Sequence, residues 1–199
     1  SYPHPMVTKY INRYRVNSWR VIYDARDDWE EFNQVNQAKW YQKYNEKYII
    51  NNSCITTAVS EPLVKKLQAW SKNKQIHLSR NGLREDFVDK SYKQINPTTK
   101  IIGYFGHLTD SWFDWESLIQ VAKHRPNYCF EIIGHSEPKS LKLPSNVTIL
   151  GPKNHLQINE IASNWSVAII PFKVSKLSDA VDPIKIYEYL ALNLSLIHI

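Results

Sequence analysis

The chain has 199 residues, 43% of them hydrophobic, which suffices for one or two α/β units with a substantial core. No run approaches the ~18 consecutive apolar residues that span a bilayer, and the sequence starts without a signal-peptide pattern. The formal net charge is +6, and residues 1–100 carry the excess, with 17 Lys and Arg against 10 Asp and Glu. Both ends of the chain are expected to be cut.

The uneven charge bears on the partners of the chain. The basic first half is compatible with contact with phosphate or with an anionic membrane surface, and equally with charge that only solubilises a surface. The basic residues are scattered and carry no zinc-finger, basic-zipper or RNA-recognition signature, so we expect no nucleic-acid partner.

The first half of the chain alternates predicted strands with predicted helices. Strands are predicted over residues 19–23, 54–59 and 75–78. A long helix is predicted over residues 28–48, and a second helix follows the N-cap Ser60. We expect residues 1–86 to form one domain and residues 87–99 to form an interdomain linker.

The second half repeats this alternation more regularly. Strands are predicted over residues 100–106, 128–133, 147–150 and 167–172, each followed by a loop or a helix. Asp110 or Ser111 is expected to cap the first of these helices. Residues 194–199 fit a further strand poorly and resemble translated sequencing-adapter sequence. Strands alternating with helices of this length predict parallel sheets covered on both faces, so residues 100–199 form a second α/β domain.

The two cysteines are far apart in the sequence. Cys54 and Cys129 each lie in an apolar run, which predicts reduced core residues rather than a disulfide or a metal pair. A reducing, cytosolic setting follows.

Ligands of open parallel sheets bind at the carboxyl ends of strands, which directs attention to Gly106 and His107. A glycine at this position lets the backbone approach a phosphate, although tight strand-to-helix turns also need glycine for steric reasons alone. The run is neither the dinucleotide-binding glycine fingerprint nor a Walker loop, which disfavours a nicotinamide or ATP-hydrolysing function.

The segment 182–191, with the sequence DPIKIYEYLA, carries the strongest functional signal. Asp182 is expected to cap the helix, with Pro183 in its first turn. Helical spacing places Glu188 on the apolar face, where a carboxylate needs hydrogen-bond donors. The two hydroxyls of a ribose fit that need, and a surface ion pair with Lys185 is the alternative.

These motifs together resemble a known enzyme family. The runs IGYFGH at 102–107, IIG at 132–134, LG at 150–151 and DPIKIYEYLA at 182–191 are similar to the donor-binding domain of family 4-like (group 1) retaining GT-B glycosyltransferases. Upstream, VIYDARDDW at 21–29, TAVS at 57–60 and SRNG at 79–82 resemble the closing strands of the acceptor domain. The resemblance implies an internal fragment with two Rossmann-like domains, the first partial and the second nearly complete.

The resemblance also implies roles for individual residues. Glu188 would hold the ribose of a nucleotide-sugar, and the segment from Asp182 to Lys185 would face its diphosphate. Gly106 and His107 would line the same pocket, with Gly134 near the base. No cofactor and no metal are expected, because such enzymes use the nucleotide-sugar as substrate without a bound metal.

The acceptor side is less well marked. Asn81 would border the cleft between the domains, and His4, Asp24 and Asp27 are further candidates there. The acidic group that includes Asp24 and Asp27 is expected to form a cleft wall or a helix cap rather than a metal site.

The sequence also departs from the family pattern. The first of the family's two glutamates would fall on Ala180, and the Arg and Lys pair after the first strand is absent. No residue can be assigned a catalytic role.

The resemblance predicts transfer of a sugar from a nucleotide-diphosphate donor to a glycan or lipid-linked acceptor, in cell-surface polysaccharide or glycolipid assembly. The expected location is cytoplasmic, with peripheral contact at the inner face of the membrane as an option. The departures favour one alternative, a non-catalytic GT-B scaffold. A nucleotide-sugar epimerase on the same two-domain plan is another.

Overall fold

The computed structural model describes residues 2–16, 19–72, 75–83 and 99–198. The chain divides into two compact units, and a short segment from late in the sequence belongs to the first of them. Unit 1 comprises Ser1–Asn81 and Val174–Asp182, and unit 2 comprises Gly82–Lys173 and Pro183–Ile199. The predicted linker 87–99 lies outside the described residues except for residue 99, so the predicted domain boundaries stay a prediction.

Unit 1 contains a three-stranded parallel sheet in the order β1-β2-β3. Its elements in chain order are α1 (Pro5–Val16), β1 (Ile22–Ala25), α2 (Trp29–Gln34), α3 (Lys43–Asn52), β2 (Ile55–Ala58), α4 (Glu61–Gln68), β3 (Ile76–Leu78) and α7 (Lys176–Asp179). Tyr23 and Ala25 alternate with more exposed neighbours, and they pack with Ile50, Leu63 and other apolar side chains into the core of this unit.

The local sequence accounts for two of the unit 1 helix boundaries. Ser60 accepts a hydrogen bond from the amide of Leu63 and so caps α4 as expected. The single helix predicted over 28–48 is wrong, because the chain forms α2 and α3 with a break between them. Asn36 has a φ of 61°, a left-handed conformation that cannot continue a helix.

Unit 2 contains a five-stranded parallel sheet in the order β6-β5-β4-β7-β8. Its elements are β4 (Ile101–His107), α5 (Trp115–His124), β5 (Cys129–His135), β6 (Val147–Gly151), α6 (His155–Ala162), β7 (Val167–Ile170), α8 (Ile184–Ala191) and β8 (Ser195–His198). The chain runs outward from β4 through β5 to β6 and then returns to the other side of β4. The order of strands therefore reverses between β4 and β7, where open α/β sheets bind ligands.

The core of unit 2 closes around this point of reversal. Tyr189 on α8 is fully buried, and its hydroxyl accepts a hydrogen bond from the amide of Phe105 on β4 at 3.2 Å. The same hydroxyl lies 3.5 Å from the carbonyl oxygen of Ile169 on β7. The side chain of Tyr189 therefore fixes α8 against the two strands that flank the reversal.

Three further expectations are wrong: the residue that caps α5, the absence of a strand near the end of the chain, and the burial of the two cysteines. Asp114, not Asp110 or Ser111, caps α5, because its carboxylate accepts from the amide of Ser117 at 3.0 Å. The stretch near the end of the chain does form a strand, β8, which pairs in parallel with β7. Cys54 and Cys129 are free thiols, as expected, but both are exposed, because each lies at or just before the start of a strand rather than in the core.

No helix among the described residues is long and apolar enough to cross a membrane.

Candidate functional site

The candidate site of unit 2 is built on the carboxyl ends of β4 and β5. In the register of these parallel strands, Gly106 lies beside Gly134 and His107 lies beside His135. The two strands therefore end in the same Gly-His pair. Because parallel strands present their carboxyl ends at one edge of a sheet, both histidines lie at the edge where ligands bind.

The glycines permit a close approach of chain segments at this edge. Gly106 has a φ of 149°, which residues with a side chain rarely adopt. A Cβ atom built there would lie 2.7 Å from Nζ of Lys185 and 2.7 Å from the hydroxyl of Tyr104. A Cβ atom on Gly134 would collide with the carbonyl oxygen of Gly106. Larger residues at either position would push the strand ends and Lys185 apart.

Lys185 on the first turn of α8 extends over Gly106. Its ammonium lies 5.7 Å from the centre of the Tyr104 ring, within the range of a cation–π interaction. Burial lowers the pKa of Lys185, and the nearby carboxylate of Glu188 partly opposes that shift. The ammonium is thus a partly desolvated cation at the edge of the sheet, which favours binding of an anion.

Glu188 lies three residues further along α8, on the same face of the helix as Lys185. Burial raises the pKa of Glu188, while the charges of Lys185 and His155 lower it in part. Among the described residues, neither Lys185 nor Glu188 has an ion-pair or hydrogen-bond partner for its side chain. The alternative, a surface ion pair between them, is therefore not formed, and the carboxylate can accept hydrogen bonds from a ligand.

The two histidines contact each other. The rings of His107 and His135 are 4.5 Å apart and nearly perpendicular. Partial burial, His135 and Lys185 together lower the pKa of His107, because each of them disfavours the protonated ring. Nδ1 of His135 lies 2.8 Å from the hydroxyl of Ser136. The pair adds two imidazole rings to the edge of the sheet, one of them close enough to Lys185 to feel its charge.

We name this group the strand-end cluster. Its members lie at the carboxyl ends of β4 and β5 or on the facing side of α8: Gly106, His107, Gly134, His135, Lys185 and Glu188. Five of the six residues predicted from sequence for donor binding belong to it. The arrangement can hold an anionic group with Lys185 and a hydroxyl-bearing group with Glu188.

Asp182 is the sixth predicted donor-binding residue, and it lies in unit 1. Its carboxylate accepts a hydrogen bond from the amide of Asn81 at 2.6 Å, and its carbonyl accepts from the Asn81 side chain at 2.7 Å. The expectation that Asp182 caps α8 is wrong, because Pro183 occupies the N-cap position without a side-chain cap. Asp182 and Asn81 are thus brought together, within unit 1.

The acidic residues after β1 differ in their surroundings. Asp24 accepts hydrogen bonds from Arg26 at 2.8 Å and from Thr57 at 2.8 Å. Burial raises the pKa of Asp24, but these bonds outweigh burial and hold it below its usual value. Burial raises the pKa of the half-buried Asp27, with Arg26 opposing. Of these two carboxyls, Asp27 is the one whose pKa is raised.

Asp28 in the same group is a helix cap, one of the two roles expected for the group. It accepts from the amide of Glu31 and forms a buried ion pair with Lys66 at 2.7 Å. No set of three His, Cys, Asp or Glu in the described ranges is arranged to hold a metal ion. His4 lies at the start of α1, where its ring accepts from the amide of Met6 and packs 5.5 Å from Trp40.

Sequence reasoning missed His135, Tyr104 and His155, which all face the strand-end cluster or its carboxylate. A signal for His135 was present, because Gly-His occurs at the ends of two successive predicted strands. No local signal marks Tyr104 or His155, since their proximity to Lys185 and Glu188 depends on the packing of α8.

Comparison with known proteins identifies relatives of the chain but no matching family model. The sequence is 25% identical over 197 residues to the Bacillus subtilis protein named "Putative teichuronic acid biosynthesis glycosyltransferase TuaH". The match covers 87% of this chain and 49% of the relative. The chain therefore spans about half the length of that relative.

Solved structures with the same fold are more distant in sequence. Sucrose-phosphate synthase from Thermosynechococcus elongatus superposes with a TM-score of 0.69 at 16% identity, over 94% of this chain and 52% of the synthase. HepE from Anabaena, solved in complex with UDP and glucose, gives a TM-score of 0.61 at 12% identity, over 96% of this chain and 56% of HepE.

These likenesses and the two parallel sheets define the class: the chain has the GT-B fold of glycosyltransferases, an α/β fold with Rossmann-like units. The expectation drawn from the sequence motifs is confirmed at the level of fold.

Proposed function

We propose that the chain is the nucleotide-sugar-binding part of a glycosyltransferase that transfers a sugar to a glycan or lipid-linked acceptor in cell-surface polysaccharide or glycolipid biosynthesis. One observation carries this proposal: Lys185 and Glu188 lie one helical turn apart, facing the glycine-bearing strand ends where the sheet order reverses. The name of the Bacillus relative supports the biosynthetic setting.

The roles of the two α8 residues follow from their chemistry. The carboxylate of Glu188 accepts hydrogen bonds from the two ribose hydroxyls of the donor, which satisfies a half-buried acceptor. The ammonium of Lys185 contacts the diphosphate. HepE was solved with UDP and glucose, and this supports a nucleotide of that class as donor.

The reaction breaks the bond between the anomeric carbon of the sugar and the donor diphosphate, and an acceptor hydroxyl forms the new bond. Negative charge develops on the departing diphosphate, and a cation positioned there stabilises the transition state. Lys185 is the residue of the strand-end cluster with a charge suited to this role. Retention of the anomeric configuration, a hexosyl donor and chemistry without a metal are part of the proposal.

We further propose that four residues lie near the acceptor: His4, Asp24, Asp27 and Asn81. Asp27 is the strongest of these, because its half-buried carboxyl has a raised pKa and can take up or release a proton. The proposed location is the cytoplasm, with peripheral contact at an anionic membrane.

The test is calorimetric titration of UDP, GDP and ADP into wild type, Glu188→Ala and the matched control Glu160→Ala. Glu160 lies exposed on α6 in the same unit. We expect one of the nucleotides to bind and Glu188→Ala to weaken that binding about tenfold or more, roughly the 1.4 kcal/mol of a charged hydrogen bond. Glu160→Ala should bind as wild type does.

Each alternative outcome has a distinct meaning. No binding by a folded wild type contradicts the donor site. Binding without sugar transfer in the full-length protein supports the scaffold alternative. Ala180 favours this alternative, because it lies where the family has a glutamate. It is buried, and its carbonyl accepts a hydrogen bond from the hydroxyl of Ser60. Conversion of the donor without any acceptor would instead indicate the epimerase.

A further inference from the structure

We propose that His107 and His135 act together as a proton-binding contact for the donor diphosphate, so that the chain binds its donor more tightly as the pH falls. This inference rests on the proposed function and adds His135 as a binding residue. The ligand chemistry it requires is a nucleoside diphosphate or its sugar ester.

The geometry places both rings where such a ligand would lie. His107 and His135 are register partners at the ends of adjacent strands, and their ring centres are 4.5 Å apart. Each follows a glycine, so the preceding residue on each strand places no Cβ atom beside the ring. Both histidines are exposed, which leaves a nitrogen of each ring accessible to an incoming oxygen.

The groups that face His107 come from each element around it. His135 faces it from β5 and Lys185 from α8, and the charges of both oppose its protonation. The hydroxyl of Tyr104 donates to the carbonyl of His107 at 3.1 Å, and the ring of Trp112 lies 6.3 Å away. The carboxylate of Glu188 interacts with the same ammonium of Lys185 and stabilises its positive charge. Within the part of the chain that the structure describes, the charges that act on His107 come from Lys185 and the second imidazole, His135.

These surroundings explain why protonation and ligand binding are linked. Without an anion nearby, Lys185 and the second imidazole disfavour the imidazolium form of His107. A diphosphate placed against Lys185 brings two negative charges, which reverses the sign of the local potential and favours a proton on the pair. An imidazolium then donates both N–H groups, and its hydrogen bonds to phosphate oxygens are the stronger, charge-assisted kind.

The direction of the pH effect follows by linkage. Binding that takes up a proton strengthens as pH falls, by up to about tenfold per pH unit for each proton. An arginine at either position would stay charged over the whole range and would give no such dependence.

The experiment is calorimetric titration of UDP, GDP and ADP at about pH 8 and about pH 6, with four proteins compared: wild type, His107→Gln, His135→Gln and the control His124→Gln. His124 lies exposed at the end of α5, outside the strand-end cluster. Titration of the nucleotide's own phosphate is common to all four proteins, so the differences between them report the histidines. Circular dichroism checks that each variant is folded.

We expect wild type and His124→Gln to bind the preferred nucleotide about tenfold more tightly at the lower pH, and each strand-end variant to lose most of that gain. Equal pH dependence in all four proteins would overturn the inference and leave the proposed function standing. Failure of wild type to bind any nucleotide at either pH would contradict the proposed function itself.

Discussion

Glu46 on α3 is a buried carboxyl in the core of unit 1, 2% exposed. The hydroxyl of Tyr23 donates to it at 2.6 Å. Burial raises its pKa to about 7, although the bond from Tyr23 acts in the opposite direction. The neutral carboxylic acid is therefore the form that the folded core favours.

This raised pKa makes the stability of unit 1 depend on pH. Because the folded value lies above the unfolded value of about 4.5, the stabilisation is fully present below pH 4.5 and is lost as pH rises through about 7. We expect the free energy of unfolding to fall by about 1.4 kcal/mol per pH unit across this window. Glu46→Gln should remove that part of the dependence, measured by urea unfolding at several pH values.

Glu61→Gln is the matched control, since Glu61 lies exposed in the first turn of α4. Its stability curve should parallel that of wild type between pH 4.5 and 7. If the difference between wild type and Glu46→Gln is constant with pH, the burial argument for Glu46 is wrong.

Gly106 is the glycine of unit 2 that lies directly under the Lys185 side chain. Gly106→Ala forces a side chain into the left-handed region and against Lys185 and Tyr104. We expect a loss of about 1–3 kcal/mol in stability, from strain at a single residue. Nucleotide binding should also weaken, because the ammonium of Lys185 is displaced. Urea unfolding and calorimetry measure the two effects.

Gly82→Ala is the control for this change. A Cβ atom on Gly82 meets nothing within 4 Å, so its stability should stay within about 0.5 kcal/mol of wild type. Equal losses at both glycines would mean that the crowding at the strand end is not the cause.

Single residues also show where sequence reasoning stops. Ser60 was predicted correctly as a cap because its partner, Leu63, is three residues away. Asp182 was predicted as a cap for the same kind of local reason, but its partner Asn81 is 101 residues away. Spacing along the chain carries information about the first kind of contact and none about the second.

The helix α5 begins at a cap formed by Asp114. Asp114 accepts hydrogen bonds from the amide and the hydroxyl of Ser117, and these bonds hold its pKa below its usual value despite the burial that raises it. Asp114→Ala should cost about 1 kcal/mol, the usual contribution of an N-cap. Faster hydrogen exchange of the amides in the first turn of α5 is the expected readout.

Asp110→Ala provides the comparison, because Asp110 was the cap expected from sequence. Its side chain is 69% exposed and pairs with Lys173 at 3.1 Å, a surface ion pair that contributes little. Exchange in α5 should not change in this variant. Equal acceleration in both would show that Asp114 does not act through the cap.

At the scale of elements, the spacing of hydrophobic residues and the positions of turn residues predicted most strands and helices but not where they begin and end. The break between α2 and α3 follows from Asn36, a residue with no strong breaker signal of its own in a polar stretch. The strand-end cluster was predicted in large part because strand ends, glycines and a following helix are all visible in sequence. His135 was missed because its contact with His107 depends on the register of β5 against β4, which the sequence does not specify.

For the whole molecule, the uneven charge gives a test of the proposed membrane contact. The excess of basic residues lies within residues 1–100. We expect the chain to sediment with vesicles rich in phosphatidylglycerol at low salt and to be released by about 0.5 M salt, because such attraction is screened. Vesicles of phosphatidylcholine alone serve as the control. No binding to either vesicle would mean that the charge only keeps the surface soluble.

The fold of the molecule was predictable and the activity was not, for a physical reason. Alternation of strands and helices fixes parallel sheets, and the order of weak motifs such as 102–107 and 182–191 fixes the class of fold. Donor and acceptor are chosen by side chains that converge from distant segments, as Lys185 and Tyr104 do. Those convergences are properties of packing rather than of the printed order of residues.

The segment Val174–Asp182 belongs to unit 1 although it follows most of unit 2 in the sequence, and this has a consequence for synthesis of the protein. The ribosome delivers Asn81 well before Asp182, which lies 101 residues later. At about 5–20 residues per second, the wait is on the order of 5–20 s. During that time Asn81 has no Asp182 to bond, and Ser60 has no Ala180 carbonyl to bond. Unit 1 is thus completed only after most of unit 2 has been translated, so neither unit can finish folding until most of the other has left the ribosome.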